Sequence, residues 1–456
     1  MRLSRHLGRL VGALLATQPL AAAAAGSIDL SRIAGAPNPR LGLAFPGSRT
    51  EHYPLIARAG IGVARISVSW GRVEPRPGAF DWAGLDARVS ALQALGIDPF
   101  LTFESASDWA TAPETRRVKN ARPRDPAAWA RFVRAVVDRY DADGRNDMPG
   151  LRSRIRYWQA ANEWISDRNR SGGWVGETED LIAFIRTAYD AVKAEDPDAL
   201  FVLGGVAAFN LDVLLVARGG REMTVRQTWG EGSETVLTVA DMRGPEIAEI
   251  IDDRVLPVLA RSPYDIADAH LYGPEARDAA RIAFLRDLTG RPVLSAECGG
   301  PSLDYGGRYT PEAHFRAVVE RNLGALAAGA RFCLWFMLGE GPGTTFGNSR
   351  TALYTAAAQP KPGVFAYRML SRLIGPSTRI EKAGAGLFAL RRGDGETLWI
   401  GWGAGAAQAR GRAAKTGGVA LCLADARAGR LSVKAEDCDP ADPVLAGRAP
   451  GRLLAP

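Results

Sequence analysis

Three glutamates, Glu104, Glu163 and Glu297, close short apolar runs that read as buried strands. A carboxyl at the end of such a strand is held by a rigid element and yet faces the loops where a ligand could sit. Two carboxyls facing each other across a sugar ring can split an acetal. One attacks the anomeric carbon, and the other protonates the leaving oxygen and then activates water. That double displacement needs the pair about 5–5.5 Å apart.

Pairing them requires a scaffold that brings distant strand ends together. Eight short apolar runs occur, at residues 41–45, 64–70, 99–104, 155–163, 201–206, 266–272, 292–297 and 332–338. Amphipathic stretches separate them. Trp129, Phe132, Val133, Val136, Val137 and Tyr140 recur at helical spacing, as do Leu181, Ile185, Ala188 and Val192; each set marks a one-faced helix. Alternating strands and helices imply parallel βα units. Glycines such as Gly96, Gly290 and Gly329 fall between helix and strand, so those joins are short. The strand-to-helix joins, roughly residues 105–125, 164–178 and 207–244, are longer. Long joins at one end are the catalytic face of a (β/α)8 barrel. A doubly wound open sheet would carry a glycine-rich turn after its first strand, and Ala44-Phe45-Pro46-Gly47-Ser48 is a poor match. The expected organisation is α/β: a (β/α)8 TIM barrel over residues 26–374 and a small β-rich C-terminal domain over 375–456. In the latter, strands at 386–392 and 396–402 flank Gly393-Asp394-Gly395, residues 403–418 read as a loop, and the tail is mobile.

The motifs carry more than the periodicity. Trp158-Gln159-Ala160-Ala161-Asn162-Glu163 ends the fourth strand and Ser295-Ala296-Glu297-Cys298-Gly299 the seventh. Arg65 lies on the second strand within Val63–Trp70, and Asp268-Ala269-His270-Leu271-Tyr272 forms the sixth. This constellation resembles the clan A retaining glycoside hydrolases, most of all family 39 and its relatives that cut bacterial exopolysaccharides. The resemblance covers most of residues 41–374. It implies Glu163 as acid/base, its pKa raised, and Glu297 as ionised nucleophile. It further implies that Arg65 and Tyr272 hold Glu297, that Asn162 binds the sugar 2-hydroxyl, and that Trp335 is the floor beneath the sugar. His270 is either a satisfied core histidine or a substrate contact. Glu104 either binds substrate hydroxyls or pairs with a base. One of Trp70, Trp109 and Trp174 is expected in the cleft. Trp164 replaces the proline common after Asn-Glu, and Cys298 replaces threonine or glycine; both argue against borrowing a relative's specificity.

Strand parity refines this. Alternate residues share a face, so Arg65, Ser67 and Ser69 go together, as do Asp268, His270 and Tyr272, and Cys333, Trp335 and Met337. Taking Trp335 and Glu297 as inward, Cys298 and Cys333 point apart and form no disulfide. Adjacent Asn162 and Glu163 cannot both face inward without a twist or bulge. Cys422 and Cys438 are close enough in sequence either to bond or to remain free.

Residues 1–25 have a basic start (Arg2, Arg5, Arg9), an apolar run and an alanine-rich end. That is the pattern of a secretory signal peptide, and it places the mature chain outside the cytoplasm, secreted or periplasmic. Its removal lowers the formal net charge from +7 to +4, too weak a balance for nucleic-acid binding. No other run suits a membrane span. With four unclustered histidines, no metal is expected, and no cofactor. The expected partner is a polysaccharide or oligosaccharide. A non-catalytic carbohydrate-binding protein and a transglycosylase are the alternatives on the same scaffold.

Overall fold

The computed structural model describes residues 28–29, 34–228, 232–340, 351–416, 418–423, 426–427 and 430–433. The segment read as a signal peptide, Cys438 and the tail lie outside these residues.

Eight parallel strands form a barrel: β1 (Asn38–Leu43), β2 (Ile61–Ser69), β3 (Asp98–Glu104), β4 (Tyr157–Ala160), β5 (Leu200–Leu203), β6 (Ala267–Asp268), β7 (Val293–Cys298) and β8 (Cys333–Trp335). They pair in sequence order, β8 returns to β1, and the bridges Val202–Ile266 and Val206–Ala269 close β5 onto β6. A helix follows each strand: α1 (Pro54–Ala59), α2 (Ala83–Ala94), α3 (Pro126–Asp138), α4 (Thr178–Glu195), α5 (Ala208–Ala217), α6 (Asp278–Thr289), α7 (Pro311–Ala327) and α8 (Pro362–Leu373). The expected (β/α)8 barrel is present. Gly290 caps α6 in the left-handed conformation, φ 64°, the geometry that permits so short a return to β7.

The alternation of each strand sorts the core into two. Outward residues, such as Ile66 and Val68 of β2, pack with the buried faces of the helices, Trp129, Phe132 and Val136 of α3 among them. Inward residues fill the barrel bottom, where Val63, Phe100, Tyr157, Val202, Leu294 and Leu334 form one apolar cluster. Above it lies a fully polar layer. Arg65 Nε donates to Thr102 Oγ1 (2.8 Å), Thr102 Oγ1 to Gln159 Oε1 (2.9 Å), and Gln159 Nε2 to Asp268 Oδ2 (2.7 Å). All four side chains are buried, so each needs the partner it has.

After α8, strands Arg379–Gly384, Leu387–Arg391 and Thr397–Gly401 form an antiparallel sheet, and Val419–Cys422 adds a fourth strand parallel to the third. Residues 403–418, expected as a loop, contain the helix Ala404–Thr416. Two parallel neighbours need a crossover, and an alanine-rich segment supplies it as a helix. Among the described residues no helix is long and apolar enough to cross a membrane.

Candidate active site

The carboxy-terminal ends of β2, β4, β6 and β7 converge above the polar layer. Glu297 is held from two sides: Arg65 Nη1 lies 3.1 Å from its Oε2, and Tyr272 Oη donates to its Oε1 at 2.8 Å. Burial, then the charge of Glu297, pushes the Tyr272 phenol well above its ordinary range, so it remains a donor. Arg65 Nη2 also donates to Asn162 Oδ1 at 2.6 Å, joining the β4 and β7 sides of the site.

Glu163 sits just beyond β4. Ala161 and Glu163 have φ of 67° and 46°, and this left-handed turn supplies the twist that the Asn162-Glu163 pair demands. Strain of this kind persists where the surroundings hold it. Here Glu163 N donates to Gly205 O, Asn120 Nδ2 donates to Asn162 O, and Trp164 Nε1 donates to Gly204 O. The Glu163 carboxylate accepts from His270 Nδ1 at 2.8 Å and from Asn169 Nδ2 at 2.6 Å.

His270 is fully buried and neither idle nor exposed to a ligand: it is the partner of Glu163. Burial alone would lower its pKa, but the charges of Asp268 and Glu297 and its hydrogen bonds raise it to about 10, so the ring is an imidazolium. The consequence for Glu163 corrects an expectation. Burial pushes its carboxyl up, but His270, Asn169 and Arg65 together pull it below the ordinary value.

Glu163, His270 and Glu297 each offer an atom within 4.8 Å of the others. The carboxylates are thus near the separation that a double displacement needs. Arg65 and the His270 imidazolium already supply positive charge to the group.

One candidate stands elsewhere. Trp335 is fully buried on the outer face of β8, its Nε1 donating to Thr351 O and its ring 5.9 Å from His314, so it is not a floor for a ligand. The inward residues of β8 are Leu334 and Phe336, and the Phe336 ring lies 6.0 Å from that of Phe45. Parity grouped the residues of β8 correctly but assigned the wrong group to the interior. Glu104 accepts from Ser67 Oγ (2.7 Å) and Lys119 Nζ (2.6 Å), so it pairs with a base. Trp70 and Trp174 are fully buried, and Trp109 is partly exposed with its Nε1 bound to Glu74 O.

The bond excluded by parity is present: Cys298 and Cys333 form a disulfide, Cα to Cα 6.4 Å. With Trp335 facing outward, Cys333 does too, on the same side as Cys298.

Sequence reasoning missed three supporting residues and gave Asp268 a face but no role. Gln159 shares parity with its inward neighbour Tyr157, a usable signal. Asn169 is a loop residue with no pattern to mark it. Gly205 is small for a steric reason: a Cβ there would lie 2.1 Å from the His270 ring and 2.8 Å from Asp268 Oδ2. Gly205→Ala is therefore expected to push His270 away from Glu163 and lower kcat/KM by about 10²-fold, the scale for misplacing a catalytic group by an ångström. Unchanged kinetics in the folded variant would show that the ring has room to move.

Solved structures share this fold. A family 39 glycoside hydrolase from the gut symbiont Bacteroides cellulosilyticus WH2 aligns with a TM-score of 0.55 at 16% identity, over 78% of this chain and 69% of that one. A family 39 β-xylosidase from Caulobacter crescentus aligns at 0.51 and 18% identity, over 80% and 78%. The family 39 enzyme of Xanthomonas axonopodis pv. citri does so at 0.51 and 17%, over 79% and 72%. No family model and no curated protein matches the sequence. The chain thus has the barrel of family 39 glycoside hydrolases; at these identities the likeness is one of fold.

Proposed function

We propose that the protein is a retaining glycoside hydrolase that cleaves O-glycosidic bonds in a poly- or oligosaccharide outside the cytoplasm. The observation that carries this reading is the division of labour between two neighbouring carboxylates. Glu297 is oriented by Arg65 and Tyr272, which hold both of its carboxylate oxygens, as suits a nucleophile. Glu163 is hydrogen-bonded to a charged imidazole that can return a proton to it. In the first step Glu297 attacks the anomeric carbon and the leaving oxygen takes the proton held by the Glu163–His270 pair. In the second, Glu163 takes a proton from water as the glycosyl ester is cleaved. In this reading Asn162, anchored by Arg65, binds a hydroxyl of the same sugar.

Intact mass after incubation with activated 2-deoxy-2-fluoro glycosides tests this. The fluorine slows both steps, and a good leaving group restores the first, so a covalent adduct should accumulate on Glu297. An unlabelled protein that also leaves a broad set of polysaccharides intact would sink the proposal.

The pair predicts a pH signature. Two coupled groups share the acid proton, so the alkaline limb of kcat/KM belongs to both and is expected near the pH of about 10 to which His270 is raised. In His270→Asn the imidazolium is gone. Burial then dominates at Glu163, whose pKa rises from its lowered value but not to that of the pair. The alkaline limb should therefore move to lower pH. A limb that stays in place would mean that the imidazole does not hold the catalytic proton.

A further inference from the structure

We infer that the Cys298–Cys333 cystine positions the Glu297 carboxylate, by locking the register in which Glu297 faces the barrel interior; the inference rests on the glycosidase reading for its effect on turnover. Strict alternation along β7 works against the site. Leu294 and Ala296 both pack inside the barrel with Leu334. The next residue, Glu297, should then point outward into the helical layer, where a carboxylate has no place. It points inward because β7 holds one extra residue against β8. Ser295 pairs with Cys333 and Cys298 with Trp335, so three steps on β7 match two on β8. Such a bulge re-aims a side chain.

The same step turns Cys298 outward, and there it meets Cys333, both fully buried against the helices. In the regular register a one-residue change flips the faces. Glu297 would point out, and Cys298 would point in, away from Cys333. The bond and the inward carboxylate are therefore two outcomes of one register, and the covalent link excludes the alternative. The bulge has hydrogen bonds of its own. Leu271 N donates to Glu297 O at 2.9 Å, Phe336 N to Cys298 O at 2.6 Å, and Ala296 N to Asp268 Oδ1 at 2.8 Å. Regular pairing would offer a ladder in exchange, so these bonds alone do not discriminate as the cystine does.

The test compares the mature protein with Cys298→Ala, Cys333→Ala and the double variant. Hydrogen exchange reads the register directly at the amides of Leu271 and Phe336, and steady-state kinetics reads its consequence. In the variants those two amides should exchange faster than in the wild type while those of β2 and β3 do not, and kcat should fall roughly 10²-fold with KM little changed, since the nucleophile faces the interior in only about 1% of the molecules. Wild-type exchange at Leu271 and Phe336 in a folded double variant would overturn the inference. So would an acceleration spread evenly over the barrel, which is the mark of a staple that only stabilises. If the wild-type protein cleaves no glycoside, the glycosidase reading fails, and the exchange experiment still decides whether the cystine holds the register.

Discussion

Glutamine at position 297 should lower kcat/KM by at least about 10⁴-fold, the scale on which enzymes lose activity when a nucleophile is removed. The substitution is nearly isosteric, and Tyr272 Oη can still donate to the amide oxygen, so the fold should survive. What goes is the charge. Arg65 then faces a neutral amide where it had an ionic partner at 3.1 Å, and the amide cannot form the glycosyl ester. The measurement is kcat/KM on whichever substrate the wild type accepts, together with intact mass on the fluoro-glycoside. Activity within tenfold of wild type, or a persisting adduct, would remove Glu297 from the mechanism.

Alanine at position 163 should give a different defect, one that depends on the leaving group. General acid–base assistance contributes about 10²–10⁴-fold, and a poor leaving group needs all of it. A nitrophenolate leaves without a proton, so the first step on such a substrate should stay near the wild-type rate. The second step lacks its base. The glycosyl-enzyme then accumulates, and kcat and KM fall together. Azide needs no base and fits the space the carboxylate vacates. It should restore turnover and give a glycosyl azide with the anomeric configuration of the substrate. An equal loss for good and poor leaving groups, with no effect of azide, would show that Glu163 does not act on the leaving oxygen.

Much of this site was legible in the chain because polar residues on buried strands have few places to go. In β2 and β6 one face is apolar and the other carries Arg65, or Asp268 and His270, so parity alone assigns the interior. In β8 both faces are apolar, since the barrel bottom is as oily as the helical layer. There the wider ring of Trp335 misled, and the disulfide was lost with it. The lowered pKa of Glu163 was hidden for another reason: it depends on an imidazolium from a strand 107 residues away, which only the closed barrel brings near. Asn169 and Gly205 act through a hydrogen bond and an absent methyl group, and neither leaves a periodic trace. In residues 403–418, glycine and arginine suggested a loop where the alanines form a helix.

The clasp between the two ends of the barrel also sets an order in time. Strand β1 takes one partner, β2, from nearby in the chain and the other, β8, from almost three hundred residues later. The side chain of Asn38, at the start of β1, donates to Ser371 O and Ile374 O, and that of Arg40 to Gly375 O and Thr378 O. A chain that emerges from its amino terminus must hold β1 with one edge open until nearly all of the barrel has followed, and an open edge invites pairing with other chains. Contacts so distant in sequence make folding slow. The vulnerable period of this protein is thus its synthesis, and residues 333–378 guard the first strand as much as they complete the barrel.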